Sequence, residues 1–283
     1  MCSKTRGSSA LTDKFDVAVV GAGPAGLTAA IRLRQLGRSV LVLHRVRPRP
    51  SRVEALTPGV ADILRYLRAD GVLADAGATL VHRHRVAWAT HDAVTREPKA
   101  GEASLLVQRH RFDKELAEAA LAHGVLFRPS SRMIAIESSG EQQLIRYAHD
   151  GFERVVLAKH VLEATGRPRA AKRKQLGPSL IAISASFEVV AGIECEMLVE
   201  ALDDGWVWAA RQPGQALHVT AFGDPGQVHL RWPGDPQRAL SAMLASSAYL
   251  GQLGDAGVFE GGLRCGLVRL RGLASRRPLE VGR

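Results

Sequence analysis

The sequence predicts an α/β fold in which a strand–helix–strand unit is followed by a second, mainly antiparallel β domain. The apolar run at residues 15–20 suits a buried parallel strand, and a glycine-rich turn leads from it into a helical pattern at 27–36. A second apolar run at 39–43 completes a βαβ unit. After Gly177, alternating segments separated by Gly-Asp, Pro-Gly and Gly-Gln steps are typical of antiparallel sheet.

The first domain is expected to span residues 1–178, with strands of the second domain near 82–108 able to interrupt it, and the second domain residues 179–283. Beyond the βαβ unit, the first part predicts helices at 57–67 and 111–122, and strands at 86–90, 104–108, 125–127, 133–137, 143–149, 152–157 and 161–164. The second part predicts strands at 182–190, 196–201, 206–210, 217–222 and 228–232, then a helix at 236–249.

Composition and charge narrow the function classes. Hydrophobic residues make up 46% and charged residues 23%, which is the balance of a globular protein. The net charge of +10 comes from arginine-rich clusters without interleaved aromatic residues, so a nucleic-acid partner is not expected. Because no apolar run reaches the roughly 18 residues of a membrane span and no secretion signal opens the chain, we expect a cytoplasmic protein without a membrane partner.

Metal-ligating patterns are weak. His82 and His84 can share a strand face, but no third ligand is near in sequence and arginines flank the pair. The three cysteines are isolated. No metal site is predicted.

The glycine-rich turn reads Gly21-Ala22-Gly23-Pro24-Ala25-Gly26 and fits the pattern G-x-G-x-x-G in its required context. The first glycine allows a tight turn, the second lets the backbone approach a pyrophosphate, and the third allows close packing of helix and strand. Pro24 is compatible, since a first-turn N–H has no helical partner. The turn therefore predicts a dinucleotide phosphate at the N-terminus of the helix.

The end of the second strand departs from the dinucleotide pattern. The acidic residue that would accept the ribose hydroxyls is replaced by His44, followed by Arg45. A neutral imidazole accepts only one hydrogen bond, whereas Arg45 could attract a 2′-phosphate. FAD, NAD and NADP thus stay open on these residues alone.

Four stretches resemble the FAD-dependent monooxygenases of the p-hydroxybenzoate hydroxylase and tryptophan-halogenase type. They are residues 16–26, Arg109-x-x-Phe112-Asp113-x-x-Leu116, Glu163-Ala164-Thr165-Gly166-Arg167 and Asp204-Gly205-Trp206-Val207-Trp208, with a weaker likeness at Arg52-Val53-Glu54. The resemblance implies a Rossmann-like FAD-binding domain with a second, mainly antiparallel β substrate domain. It implies FAD as cofactor and allows NAD(P)H as electron donor.

The resemblance also implies site residues. Thr165, Gly166 and Arg167 would approach the dinucleotide, although an ordinary strand exit explains them too. Arg109 would contact the cofactor, or else pair with Asp113 or Glu115.

Two tryptophans carry the remaining site prediction. Trp206 and Trp208 lie two apart and hence on one strand face, where they would border the substrate pocket or pack a sheet core. No catalytic residue is identified.

Halogenation is not expected from this resemblance. The Trp-x-Trp-x-Ile-Pro motif of halogenases ends here in Ala210-Arg211, and the only lysine in the region of their catalytic lysine is Lys99, in a loop. The better match is to halogenase-like flavoproteins that hydroxylate aromatic groups, including those of quinone-cofactor maturation. The prediction is an oxidoreductase hydroxylating a small aromatic molecule or a tryptophan in a peptide or protein. The alternatives are an NAD(P)-dependent reductase and a non-catalytic maturation partner.

The family's third FAD motif, an apolar strand ending in Gly-Asp before a helix, is not recognised. The Gly-Asp pairs at Gly223-Asp224 and Gly234-Asp235 are followed by proline in turn-like stretches, and Gly254-Asp255 runs into further glycines without a helix. None of the three is expected to follow an apolar strand. We therefore expect a C-terminally truncated flavoprotein that ends before this motif, retains flavin weakly and turns over slowly.

Overall fold

The structure is a computed structural model that describes residues 13–46, 52–88, 93–99, 101–166, 174–188, 196–255 and 260–272. The strands are β1 (Lys14–Val20), β2 (Val40–Leu43), β3 (Val53–Leu56), β4 (Thr79–Leu80), β5 (His84–Ala87), β6 (Val94–Arg96), β7 (Leu105–Gln108), β8 (Leu126–Arg128), β9 (Arg132–Ser139), β10 (Gln142–His149), β11 (Phe152–Glu163), β12 (Lys174–Phe187), β13 (Met197–Leu202), β14 (Gly205–Ala210), β15 (Leu217–Gly223) and β16 (Glu260–Gly272). The helices are α1 (Pro24–Gln35), α2 (Gly59–Tyr66), α3 (Gly71–Asp75), α4 (Arg109–Ala122), α5 (Pro225–Arg231), α6 (Pro236–Ala245) and α7 (Gln252–Asp255).

The chain divides into two compact units. The first comprises Met1–Ser51, Ala61–Ala76 and His110–Pro168, and the second comprises Arg52–Val60, Gly77–Arg109 and Arg169–Arg283. Whether FAD and substrate binding separate between residues 1–178 and 179–283 stays a prediction.

The first unit contains a six-stranded sheet in the order β8-β2-β1-β11-β10-β9. The pairs β8–β2, β2–β1 and β1–β11 are parallel, whereas β10 pairs antiparallel with β11 and β9. Because Val20 lies beside both Leu43 and Glu163, the carboxyl ends of β1, β2 and β11 meet at one edge of the sheet. That edge is where α/β sheets bind ligands.

Asp16 holds β1 between its two neighbours. Its Oδ2 accepts hydrogen bonds from the N–H of Ser39 at 2.8 Å and its hydroxyl at 2.9 Å, and its Oδ1 accepts one from Lys159 Nζ at 2.8 Å. The Lys159 hydrogen bond, supported by those of Ser39, holds the pKa of Asp16 well below its usual range. These contacts favour the register that aligns the strand ends.

The second unit contains a seven-stranded sheet in the order β16-β12-β15-β14-β13-β5-β6 and a three-stranded sheet in the order β3-β7-β4. All pairs of the larger sheet are antiparallel except β13–β5, which confirms the mainly antiparallel prediction. Alternate residues such as Val207, Val219 and Ala221 form a buried core with Leu240 and Leu244 of α6. Trp206 and Trp208 consequently face the other side of the sheet.

Three predicted strands differ from the structure. The strands expected at 152–157 and 161–164 are one continuous strand, β11, because the polar residues between them, such as Lys159, are accommodated at its exposed positions. The prediction of a strand at 228–232 is wrong, because residues 228–231 belong to α5 and Trp232 is its C-cap.

The reading of Gly223-Asp224 as a turn without a preceding strand is also wrong. These residues follow β15 directly and precede α5. The Asp224 side chain caps that helix by accepting from the N–H of Gln227 at 2.9 Å, and Pro225 occupies its first turn. The step lies in the antiparallel sheet of the second unit, and its aspartate has this local structural role.

None of the helices in the described part of the chain has the length and apolar character needed to cross a membrane.

Candidate cofactor site and aromatic face

Gly21 and Gly26 are required by close packing within the first unit. Gly21 leaves β1 with φ +112°, and a Cβ added there would lie 2.4 Å from the carbonyl oxygen of Ala164. A Cβ added to the buried Gly26 would lie 2.1 Å from the carbonyl oxygen of Gly21. Both distances are far below van der Waals contact, so neither position accepts a side chain without backbone movement.

Gly23 is different because it borders open space. It is the N-cap of α1 in an extended conformation, and a Cβ added there would meet no described atom within 4 Å. No described side chain caps the helix, and the first turn contains Pro24 and the exposed Ala25. The free N–H groups of this first turn, the helix dipole and the open space fit a pyrophosphate.

His44 and Arg45 follow β2 at the same sheet edge. The His44 N–H donates to the carbonyl oxygen of Arg128 at 3.2 Å, and its carbonyl oxygen accepts from the N–H of Ser131 at 2.9 Å. The residue is half-buried and its backbone is held on both sides, whereas Arg45 is exposed. Contact of either residue with a ribose stays a prediction.

The end of β11 reaches the glycine turn. The Ala164 N–H donates to the carbonyl oxygen of Val20 at 2.8 Å, and the Thr165 hydroxyl donates to Glu163 Oε1 at 3.1 Å. Gly166 has φ +77°, and no described atom lies within 4 Å of its added Cβ. The structure therefore brings Ala164 to Gly21, while the predicted site residue Arg167 lies outside the described residues.

Arg109 belongs to the second unit and has an acidic partner that sequence analysis did not assign. Its Nη1 donates to Glu54 Oε2 at 2.6 Å, Arg52 also forms an ion pair with Glu54, and the Arg109 N–H donates to the carbonyl oxygen of Arg52 at 2.9 Å. The arginine side chain is only 17% exposed. The short Arg52-Val53-Glu54 likeness was the signal for this cluster, and its role at the cofactor stays a prediction.

The second unit has an aromatic face on its seven-stranded sheet, formed by Trp88, Trp206, Trp208 and Phe222. Trp206 stacks on Phe222 with centroids 3.8 Å apart, and Trp88 lies edge-on to Trp206 at 6.2 Å. Trp208 lies edge-on to His218 at 6.0 Å. The two tryptophans share a face as predicted, and their role in a substrate pocket stays a prediction.

The two tryptophans have different surroundings. Trp208 packs with Met197 against a buried cluster that includes Val53 and Leu106 of the three-stranded sheet. Trp206 instead contacts Phe222 and the 56% exposed Trp88. Trp208 therefore has a clear packing role, whereas the aromatic contacts of Trp206 make it the candidate for ligand contact.

A polar row lies beside the aromatic face, formed by Ser184, Ser186, His218 and Thr220 on β12 and β15. The hydroxyls of Ser184 and Thr220 are 2.9 Å apart, Ser186 Oγ is 3.3 Å from His218 Nδ1, and Thr220 Oγ1 is 3.5 Å from His218 Nε2. His218 and Thr220 are buried. This row was not predicted from the sequence, although polar residues alternating with Leu217, Val219 and Ala221 were a usable signal.

Among the described residues, His82 and His84 have no further metal-ligating partners. Across the described residues, no group of three or more His, Cys, Asp or Glu side chains is arranged to hold a metal ion.

Comparisons with known proteins agree with the predicted resemblance. A curated protein from Nectria sp, "FAD-dependent monooxygenase ntnJ", is 25% identical over 226 residues, covering 76% of this chain and 52% of that protein. The chain thus spans about half the length of this curated relative.

Solved structures extend the comparison. One solved structure is that of "peptidyl tryptophan dihydroxylase QhpG essential for tryptophylquinone cofactor biogenesis". Its sequence is 28% identical, its TM-score is 0.69, and the match covers 92% of this chain and 57% of the dihydroxylase. The myxobacterial chondrochloren halogenase CndH, at 22% identity and a TM-score of 0.77, covers 91% of this chain and 65% of that one and shows the shared fold alone.

A family model described as "FAD binding domain" matches residues 14–241. This match confirms the prediction of FAD as cofactor. The open space at Gly23 is compatible with a pyrophosphate there, and its placement at the turn stays a prediction. The comparisons do not favour the alternative of an NAD(P)-dependent reductase. NAD(P)H as electron donor stays a prediction. This chain belongs to the FAD binding domain family.

Proposed function

We propose that this chain acts as a flavin-dependent monooxygenase that hydroxylates an aromatic ring held at the aromatic face. The observation that carries the proposal is the stacked, half-buried pair of Trp206 and Phe222. Trp88 lies edge-on to this pair, and the polar row lies beside it. When bound, FAD supplies the redox and oxygen-transfer chemistry. The residues of the chain bind and orient the two molecules.

The aromatic face can bind a planar apolar ring. An edge-to-face or offset contact adds about 0.5–1.5 kcal/mol beyond the burial of area. Trp88, which is 56% exposed and lies edge-on to Trp206, has ring surface that a substrate can cover. The substrate ring would thereby exclude water from its own reacting carbon.

The polar row can orient the substrate through hydrogen bonds. His218 lies between Ser186 and Thr220, so its two ring nitrogens have fixed neighbours. One nitrogen of a neutral imidazole donates a hydrogen bond and the other accepts one. The proton of His218 can therefore lie on Nδ1, towards Ser186, or on Nε2, towards Thr220. A phenol O–H or an indole N–H fits this chemistry.

For the finer substrate class, we propose a tryptophan within a peptide or protein. The 28% identity to a peptidyl tryptophan dihydroxylase, over 92% of this chain, supports this choice. A small aromatic molecule is the other outcome of the test.

The test supplies the FAD-loaded protein with a reductant, isotopically labelled dioxygen and, in parallel, a tryptophan-containing peptide and a simple phenol. We expect one labelled oxygen atom or more in the peptide, detected by mass spectrometry. Trp206→Leu should lower product yield, whereas Tyr66→Leu, which changes an exposed aromatic residue of the first unit, should not. If labelled oxygen enters the phenol and not the peptide, the substrate is a small aromatic molecule instead of a peptide. Reoxidation of the flavin with release of peroxide and no labelled product would contradict the proposal.

A further inference from the structure

The second unit contains an arginine cleft, which we define by Arg83, Arg85, Glu196, Met197, Arg211 and Gln212. Its volume is about 540 Å³, and it lies beside β4 and at the ends of β13 and β14. This volume is in the range of small-molecule sites in proteins. The proposed monooxygenase function does not use the cleft.

Positive charge exceeds negative charge in the arginine cleft. None of Arg83, Arg85 and Arg211 forms an ion pair with any residue that the structure describes. Glu196 is the acidic residue of the lining, and its carboxylate accepts hydrogen bonds from the backbone N–H groups of His82 and Arg83. Guanidinium groups without a carboxylate partner are suited to bind an oxyanion, and they can do so through two parallel hydrogen bonds.

Gln212 gives the lining of the arginine cleft a side chain of fixed orientation. Its side chain is buried, and its Nε2 donates to the carbonyl oxygens of Gly77 at 3.0 Å and Leu106 at 3.1 Å. These bonds fix the amide orientation, whereas Oε1 has no hydrogen-bond partner in the described part of the protein. A buried acceptor without a partner costs free energy, and such groups are often found where a ligand or water binds.

We propose that the arginine cleft binds a small molecule through an oxyanion, either a phosphate or a carboxylate group. The guanidinium groups of Arg83, Arg85 and Arg211 neutralise its charge. Met197 gives the cleft an apolar patch. The cleft is a second binding site, additional to the glycine turn.

The test is isothermal titration calorimetry with two probes, inorganic pyrophosphate and succinate, at low salt. The protein is saturated with FAD so that the glycine turn is occupied. A parallel titration uses Gly23→Val without FAD, which blocks the turn and makes the result independent of cofactor binding. We expect saturable binding of at least one probe in both preparations.

Removal of one guanidinium should weaken binding. We expect Arg85→Ala and Arg211→Ala each to raise the Kd about tenfold, with Arg211→Lys in between because an ammonium lacks the planar fork. Arg238→Ala, an exposed arginine of α6 outside the cleft, is the matched control and should leave the Kd unchanged.

The two probes separate the two ligand sources. Binding of pyrophosphate alone assigns the cleft to phosphate-bearing molecules, and binding of succinate alone assigns it to carboxylates. Absence of binding for both probes at millimolar concentration overturns the proposal. The proposal is also overturned if Arg85→Ala and Arg211→Ala bind the probe with the same Kd as the control Arg238→Ala.

Discussion

The glycine turn and the aromatic face are built from different parts of the polypeptide. At the turn, backbone atoms of residues 21–26 and of Ala164 approach so closely that a single Cβ at Gly26 would lie 2.1 Å from a carbonyl oxygen. At the aromatic face, side chains from β14, β15 and the residue after β5 contact one another with centroid separations of 3.8–6.2 Å.

This difference determines how each region responds to substitution. A backbone site has no side chain to shorten, so an added group either clashes with the fold or occupies the ligand space. A side-chain site loses contacts gradually as its residues are trimmed. The glycines should therefore give all-or-none effects, and the tryptophans graded ones.

The largest effect is expected for Gly26→Val. Its side chain would clash with the Gly21 carbonyl oxygen, so β1 and α1 would have to separate, and we expect a loss of about 3 kcal/mol or more in the free energy of unfolding. Urea denaturation followed by circular dichroism measures the loss. Gly59→Val is the matched control, because no described atom lies within 4 Å of its added Cβ. Equal stability of the two variants would show that the turn is less tightly packed.

A smaller effect is expected for Trp206→Ala. Loss of the stacking contact with Phe222 should cost about 2 kcal/mol in the free energy of unfolding, since the ring is half-buried. Trp88→Ala should cost less, because Trp88 is 56% exposed and has the edge-on contact. Thermal unfolding of both variants measures the two losses of stability. A larger loss for Trp88→Ala than for Trp206→Ala would contradict the prediction that the stacked ring contributes more.

His44→Glu should tighten FAD binding by about 1 kcal/mol, because a carboxylate at the end of β2 can accept hydrogen bonds from both ribose hydroxyls. The position is at the required sheet edge beside β1. Equilibrium dialysis with FAD measures the change. Arg128→Gln lowers the charge by the same single unit at the end of the neighbouring strand β8 as a control, and equal tightening there would mean that charge alone is responsible.

The smallest effect concerns the pH dependence of stability. Desolvation holds the pKa of His84 below its ordinary value of 6.5, although the charge of Glu196 opposes the shift. The unfolded chain therefore binds the proton more readily than the folded chain does. The contribution of His84 to stability is complete above pH 6.5 and is lost as the pH falls through the folded-state pKa.

His84→Gln should flatten the decline of Tm below pH 6.5. His229→Gln, on exposed α5, is the control and should leave the decline as in the wild type. If the Tm of the His84 variant declines with falling pH as steeply as that of the wild type, His84 is not the cause of the decline.

The glycine turn could be predicted from the sequence, whereas the side-chain contacts between distant segments could not, and the reason is physical. The motif at Gly21, Gly23 and Gly26 can be recognised from six consecutive residues and the apolar run before them, so its pattern is local in sequence. The pairing of Arg109 with Glu54 and the contact of His218 with Ser186 join residues that are far apart in the chain. Such contacts depend on strand register, which a hydrophobic pattern does not specify across distant segments.

Helix α5 shows a different limit. Its Gly-Asp-Pro start was read as a turn, but an aspartate before proline is also an N-cap, and Asp224 acts as one. The short apolar segment that follows was ambiguous between strand and helix, and the cap decided it. Reading cap chemistry together with hydrophobic period would have predicted this helix.

The most direct test of the account compares FAD binding by the wild type and Gly23→Val. Because Gly23 has an extended backbone and borders open space, valine should leave stability unchanged while filling the place of the pyrophosphate. We predict that the wild type binds FAD, seen as an excess of flavin absorption on the protein side in equilibrium dialysis. We predict that Gly23→Val is folded and binds FAD about 100-fold more weakly, equivalent to about 2.7 kcal/mol. A folded Gly23→Val variant with the flavin content of the wild type would contradict the placement of the cofactor at this turn.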